Sequence, residues 1–191
     1  IYPLDLFGSY VRAGADFQCI AAKYMGAPQS TGLALGSVDM IRKLALQSFV
    51  SYEGRRVRGV GRPHKVDRQE MVGAVAAVKR WVTLNHEERL ADIEEKCLNM
   101  MTPLRNIPGV TVTLSDNLIG HQPYGVTLEL DESITGISCY QLVDRLKQRN
   151  PPIWTRVREG EPFIILHAFG LAESEDIAVG RGIAELVTKI G

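Results

Sequence analysis

Gly14-Ala-Asp-Phe-Gln-Cys-Ile-Ala-Ala-Lys23-Tyr-Met-Gly-Ala-Pro-Gln-Ser-Thr-Gly32-Leu-Ala-Leu-Gly36 decides how the rest of the chain is read. Two apolar runs, Phe17 to Ala22 and Leu33 to Gly36, predict buried strands. The insert between them begins with one lysine. Gly26, Pro28 and Gly32 permit sharp backbone changes there, and Gln29, Ser30 and Thr31 supply polar groups. A lysine directly after a buried strand starts its stem in apolar surroundings. It can snorkel to water, pair with an acid, or lose its proton. The last option makes it a nucleophile, because desolvation disfavours the ammonium form.

Outward from that stretch the pattern becomes specific. Ala21-Ala-Lys-Tyr-Met-Gly-Ala-Pro-Gln-Ser-Thr-Gly32 resembles the lysine segment of fold-type I pyridoxal-phosphate enzymes. The branch it resembles is that of bacterial selenocysteine synthase (seryl-tRNA selenium transferase), which also holds ammonia-lyases of the D-glucosaminate-6-phosphate type. In that branch a Gly-Ala-Asp precedes a strand, the lysine follows, and a Gly-x-Pro-Gln segment comes next. Gly61-Arg-Pro-His-Lys-Val66 and Met71-Val-Gly73 resemble the same branch's link into its C-terminal domain. The likeness is specific at the lysine and weak beyond about Pro103.

The resemblance implies that Lys23 forms an imine with pyridoxal phosphate. It implies a cofactor phosphate near Gln29, Ser30 and Thr31, reached across a subunit boundary, hence at least a homodimer. The acid on the cofactor's ring nitrogen would precede Ile1, so the chain is expected to be the C-terminal part of a longer protein. Asp16 precedes the strand and belongs to the turn.

Composition sets limits on the alternatives. The 191 residues are 45% hydrophobic and 23% charged, as in globular domains. Lys+Arg and Asp+Glu both number 22, so the net charge is zero. That argues against a protein dominated by nonspecific nucleic-acid binding. Cys19, Cys97 and Cys139 are odd in number, widely spaced and set in apolar patterns. They read as reduced core thiols of a cytoplasmic protein, with no CxxC or HExxH to suggest a metal. No apolar run is long enough for a membrane span.

The remaining chain reads in order. Leu4 to Arg12 predicts a short helix closed by Gly14. Ser37 is an expected N-cap, with a helical face of Met40, Ile41, Leu44, Ala45 and Ser48. Ser51 to Lys65 is a glycine-rich basic loop with Arg55, Arg56, Arg58, Arg62, His64 and Lys65. It is either a solvated linker or an anion site, with Arg62 and Lys65 the preferred contacts.

Asp67 and Glu70 form an expected capping box. They open a long helix with Met71, Val75, Val78 and Val82 on one stripe, continued by Leu90, Ile93, Cys97 and Met100. The stripe slips at Asn85-His86, where a kink or break is expected. Val110 to Leu114 and Tyr124 to Leu130 predict strands joined by a loop that holds His121. A second capping box at Ser138 and Gln141 opens a helix ended by Asn150-Pro151-Pro152. Ile153 to Val157 and Phe163 to His167 predict two strands about a Glu159-Gly160 turn. A last helix follows from about Ser174 to Ile190.

The expected fold class is α/β plus α+β. Residues 1–65 would end an aminotransferase-like large domain, with the basic loop as linker. Residues 66–191 would form a bridging helix and a small C-terminal domain, with a mainly antiparallel sheet and helices on one face.

A site of this kind also needs an anchor for the substrate's acid group. Arg156 suits it through its guanidinium fork, as does Arg62, although a strand arginine facing solvent is the plain alternative. The function implied is α-proton removal from an amino acid or amino-sugar acid, with elimination or replacement. Two other classes stay open. One is an aminoacyl-tRNA-directed binder using the basic loop, which zero net charge disfavours. The other is a non-catalytic assembly fragment.

Overall fold

The computed structural model describes residues 2–54, 59–116, 123–157 and 160–188. Arg55, Arg56, Arg58, His121, Arg158, Glu159 and Ile190 lie outside them. Two compact units form, Ile1–Asn85 and His86–Gly191.

In the first unit the expected N-terminal helix is split. A 3-10 turn, Leu4–Leu6, and α1, Ser9–Arg12, flank Gly8, whose φ of 75° is a conformation that favours glycine. Strands β1, Phe17–Ala21, and β2, Gly32–Gly36, pair antiparallel with Ala21 opposite Gly32 and Phe17 opposite Gly36. The strands match the expectation; their burial does not. Only Ile20 is fully buried, and Phe17 is 43% exposed. A two-stranded ribbon has neighbours on one side only, so half of its apolar residues find no cover within this unit.

Ser37 caps α2, Val38–Leu46, its hydroxyl accepting from Met40 N at 3.2 Å. Ser48, expected on the face of the preceding helix, instead caps α3, Phe49–Glu53, whose end from Ser51 onward enters the stretch expected to be loop.

Asp67 caps α4, Arg68–Thr83, accepting from Glu70 N at 2.7 Å. The box is only half made, because the Glu70 carboxylate instead accepts from Ser30 Oγ. The face α4 buries is Ala74, Ala77 and Trp81, with Val78 partly covered. The predicted stripe of Met71, Val75 and Val82 is exposed. Both faces of this helix carry apolar residues. The alanine face wins because its small side chains let the helix approach closely while Trp81 reaches Ile20, Ala22 and Met25.

The expected long helix ends at Thr83, and α5, His86–Met101, starts anew. The compact units therefore divide after Asn85 rather than at the basic loop near Lys65, because α4 packs with the first unit.

The second unit pairs β3, Val110–Asp116, with β4, Pro123–Leu130, and β4 with β5, Phe163–His167, all antiparallel. Between β4 and β5 come α6, Glu132–Thr135, and α7, Cys139–Lys147; α8, Glu175–Thr188, follows β5. Val126, Leu128, Ile164 and Leu166 point from the sheet into a core shared with Cys97, Met100, Leu104, Leu142, Leu146 and Ile183. The Ser138–Gln141 capping box is complete, with bonds of 3.3 and 3.0 Å.

The predicted strand Ile153 to Val157 is reduced to one bridge, Val157 to Ile164. Pro151 and Pro152 bring no N–H donors, and Ile153 N is spent on Leu146 O at 3.0 Å.

Candidate functional site

The connection from β1 to β2 carries Lys23, Gln29, Ser30 and Thr31 together, as the sequence predicts. Its first turn, Ala22–Met25, is a 3-10 turn closed by Gly26 at φ 87°. Ala22 and Met25 are fully buried on either side of Lys23. Gly26 N donates to Lys23 O at 3.0 Å, and Ala22 N to Thr31 O at 3.0 Å. So the backbone of Lys23 is held at both ends.

The loop is also bolted to α4. Pro28 lies over Gly73, where an added Cβ would come within 2.9 Å of the proline ring. Arg80 Nη2 donates to Met25 O at 3.4 Å, and Ser30 Oγ donates to Glu70. Residues forty to fifty-five positions apart in the chain thus fix one turn, which removes backbone freedom at the lysine before any ligand binds.

The Lys23 side chain itself is exposed, which corrects the expectation of an apolar environment around its stem. Its Nζ lies 5.2 Å from the Tyr24 ring centroid, and no carboxylate pairs with it among the described residues. An amine on a rigid turn without a counter-ion is able to react with an aldehyde. Removing it from water would take walls that the first unit does not itself supply.

The two hydroxyls expected to donate to a phosphate are committed. Thr31, buried, donates to Pro28 O at 2.7 Å, and Ser30 donates to Glu70. They hold the turn. The exposed Gln29 amide keeps its donors available among the described residues.

Arg62 and Arg156 are not part of this loop. Arg62 packs beside α3, its guanidinium 5.7 Å from the Phe49 ring and 5.9 Å from that of Tyr52. Arg156 belongs to the second unit. It is exposed, as is Trp154, while Ile153, Thr155 and Val157 are partly covered, so the predicted alternation is present without a strand. With Tyr140, Asp144, Lys147 and Thr155 it lines a shallow cavity of about 190 Å³.

His167 draws no role from the sequence. The inward pointing of Ile164 and Leu166 puts it on the sheet's outer face, with Phe169 at 5.7 Å. The period-2 pattern of β5 is the signal that could have found it.

Comparison with known proteins bears on the fold. No family model matches. A curated relative from Streptomyces sp, 5'-C-glycyluridine monooxygenase-decarboxylase, is 27% identical over 148 residues, which is 77% of this chain and 35% of that protein. Among solved structures, D-glucosaminate-6-phosphate ammonia-lyase superposes with a TM-score of 0.65 at 18% identity, over 95% of this chain and 46% of that one. The cystine C-S lyase C-DES, in complex with cysteine persulfide, gives 0.57 at 16%, over 93% and 48%. The chain thus spans between a third and a half of the proteins it matches. The likeness first seen in the lysine segment holds at the level of the fold: the chain folds as part of D-glucosaminate-6-phosphate ammonia-lyase does.

Proposed function

We propose that the protein containing this chain is a pyridoxal-phosphate-dependent enzyme acting on an amino acid or amino-sugar acid. The reaction is α-proton removal followed by elimination or replacement. The observation that carries this reading is the Lys23 turn, with an unpaired amine on a backbone clamped between buried Ala22 and Met25 and bolted to α4. The fold shared with an ammonia-lyase and a C-S lyase supports it.

When bound, the cofactor supplies an electron sink for bonds at the substrate's α-carbon. Lys23 would hold the cofactor through its amine and would serve as the general base at the substrate's α-carbon. Gln29 would offer its amide donors to the cofactor phosphate. Arg156 holds the substrate's acid group with its guanidinium fork, and Arg62 is a second anion contact. The cofactor site is completed by a second subunit.

A second reading has support from the Streptomyces relative, whose name is that of a monooxygenase-decarboxylase. There the bond broken at the α-carbon is the one to the carboxylate.

The test is direct. The intact protein with added cofactor should absorb in the visible, and borohydride should fix the cofactor on the peptide containing Lys23. Lys23→Ala should abolish both. A label on another lysine refutes the assignment.

A further inference from the structure

The segment between α7 and β5 displays two side chains on a pinned backbone. Ile153 N donates to Leu146 O at 3.0 Å, and Val157 bridges to Ile164 of β5. Ile153 and Val157 both pack against the core of the second unit. Gly182 of α8 makes room for the first of them, since a Cβ there would stand 2.8 Å from Ile153 Cδ1. With both ends turned inward, Trp154 and Arg156 are turned outward. This is the alternation of extended backbone, which sets residues two apart on one side with about 7 Å between their attachment points.

The fold uses neither side chain. Trp154 is 77% exposed and makes no hydrogen bond or ring contact among the described residues. Arg156 has no acid partner among them, because Asp144, which lines the same cavity, pairs with Lys147 at 3.4 Å. The cavity that Thr155 and Arg156 help to line holds about 190 Å³. Pockets that enclose a whole small-molecule ligand start at roughly 300 Å³. A ligand gripped by Arg156 therefore extends past the rim, and Trp154 is the next residue along from the lining Thr155.

We infer that Trp154 is a specificity-determining residue, stacking on a planar ring in the side chain of the amino acid whose acid group Arg156 holds. This rests on the enzyme reading above, which gives Arg156 its role. An indole face favours a flat ring over a saturated group of the same bulk, because offset stacking adds to the burial of area. The pinned segment presents the indole in one place, so little freedom is lost when the ring docks. A protein partner would need a contiguous apolar patch. Here the groups that accompany the indole are charged: Arg156 beside it in the extended segment, Asp144 and Lys147 around the cavity.

Fluorine NMR of the intact protein labelled with fluorotryptophan tests this, the Trp154 resonance being the one lost in Trp154→Phe. With cofactor added, at least one of L-phenylalanine, L-tyrosine and L-histidine should shift that resonance to saturation. Cyclohexylalanine, which has the charge of phenylalanine and a saturated ring, and L-alanine should not. In calorimetry Trp154→Leu should weaken the ring-bearing ligand by about two- to tenfold, with alanine unaffected, and Trp154→Phe should recover most of the loss. Borohydride labelling of Lys23 is scored separately in the same samples. The enzyme reading fails on that label, and the ring site fails on the resonance.

Four results overturn the ring site. The first is a Trp154 resonance unmoved by all three ring-bearing amino acids. The second is an equal shift from cyclohexylalanine. The third is an unchanged affinity in Trp154→Leu. The fourth is a resonance insensitive to a soluble paramagnetic reagent in the ligand-free protein, which would mean that other protein covers the indole.

Discussion

Cys97 and Cys139 are buried, whereas Cys19 is exposed, so the expectation of three core thiols holds for two. Burial, with Glu94 adding to it, pushes the Cys97 thiol up to about 11. Burial likewise raises Cys139, with Glu129 adding; a hydrogen bond with the Leu130 backbone acts the other way. A thiol reagent at neutral pH should therefore modify Cys19 alone in the native chain, and all three after unfolding; native labelling of Cys97 would contradict the packing. Above pH 9 the unfolded chain releases the Cys97 proton while the folded chain keeps it. The second unit should therefore lose stability as pH rises from about 9 to 11, and Cys97→Ala should flatten that part of the profile in chemical denaturation. In the sequence the residue types at the candidate site are plain and their partners opaque. Nothing local says that Ser30 gives its hydroxyl to Glu70, forty residues on, or that Lys23 stands in the open.

Elements are legible where a local rule governs them. Ser37, Asp67 and Ser138 each begin a helix as expected, because an N-cap is a matter of three residues. The buried side of α4 is not, since both of its faces are apolar and only tertiary packing chooses between them. Trp81→Ala should therefore destabilise the first unit by about 3–5 kcal/mol, while Val75→Ala, on the exposed stripe, should change the melting of this chain little. In the second unit α8 meets α5 through Gly180, where a Cβ would lie 2.7 Å from Met100 O and 3.0 Å from Pro103 Cγ. Gly180→Val should cost about 1–3 kcal/mol in a denaturant titration. Gly170→Ala, with open space around it, serves as the control that should be neutral.

At the scale of the whole molecule the two units differ in how much core they own. Four residues form the buried cluster of the first and seventeen that of the second, among the described residues. Stability follows buried apolar area, so the halves should not open together. Hydrogen exchange should find the amides of β4 protected for long times and those of β1 and β2 exchanging early. Equal protection of the two sheets would refute this. No helix among the described residues is long and apolar enough to cross a membrane. The mixture of helices and small antiparallel sheets is readable because most elements follow periodicity. The exposure of the lysine hairpin is not, because burial depends on tertiary packing that no local pattern states. That hairpin has a practical consequence at the bench. Among the described residues β1 and β2 pair with no third strand, so each offers an outer edge of backbone amides and carbonyls, with Phe17 exposed. A preparation of these residues alone should scatter light at concentrations where a longer version stays clear, which makes turbidity the cheapest gauge of whether the lysine is housed.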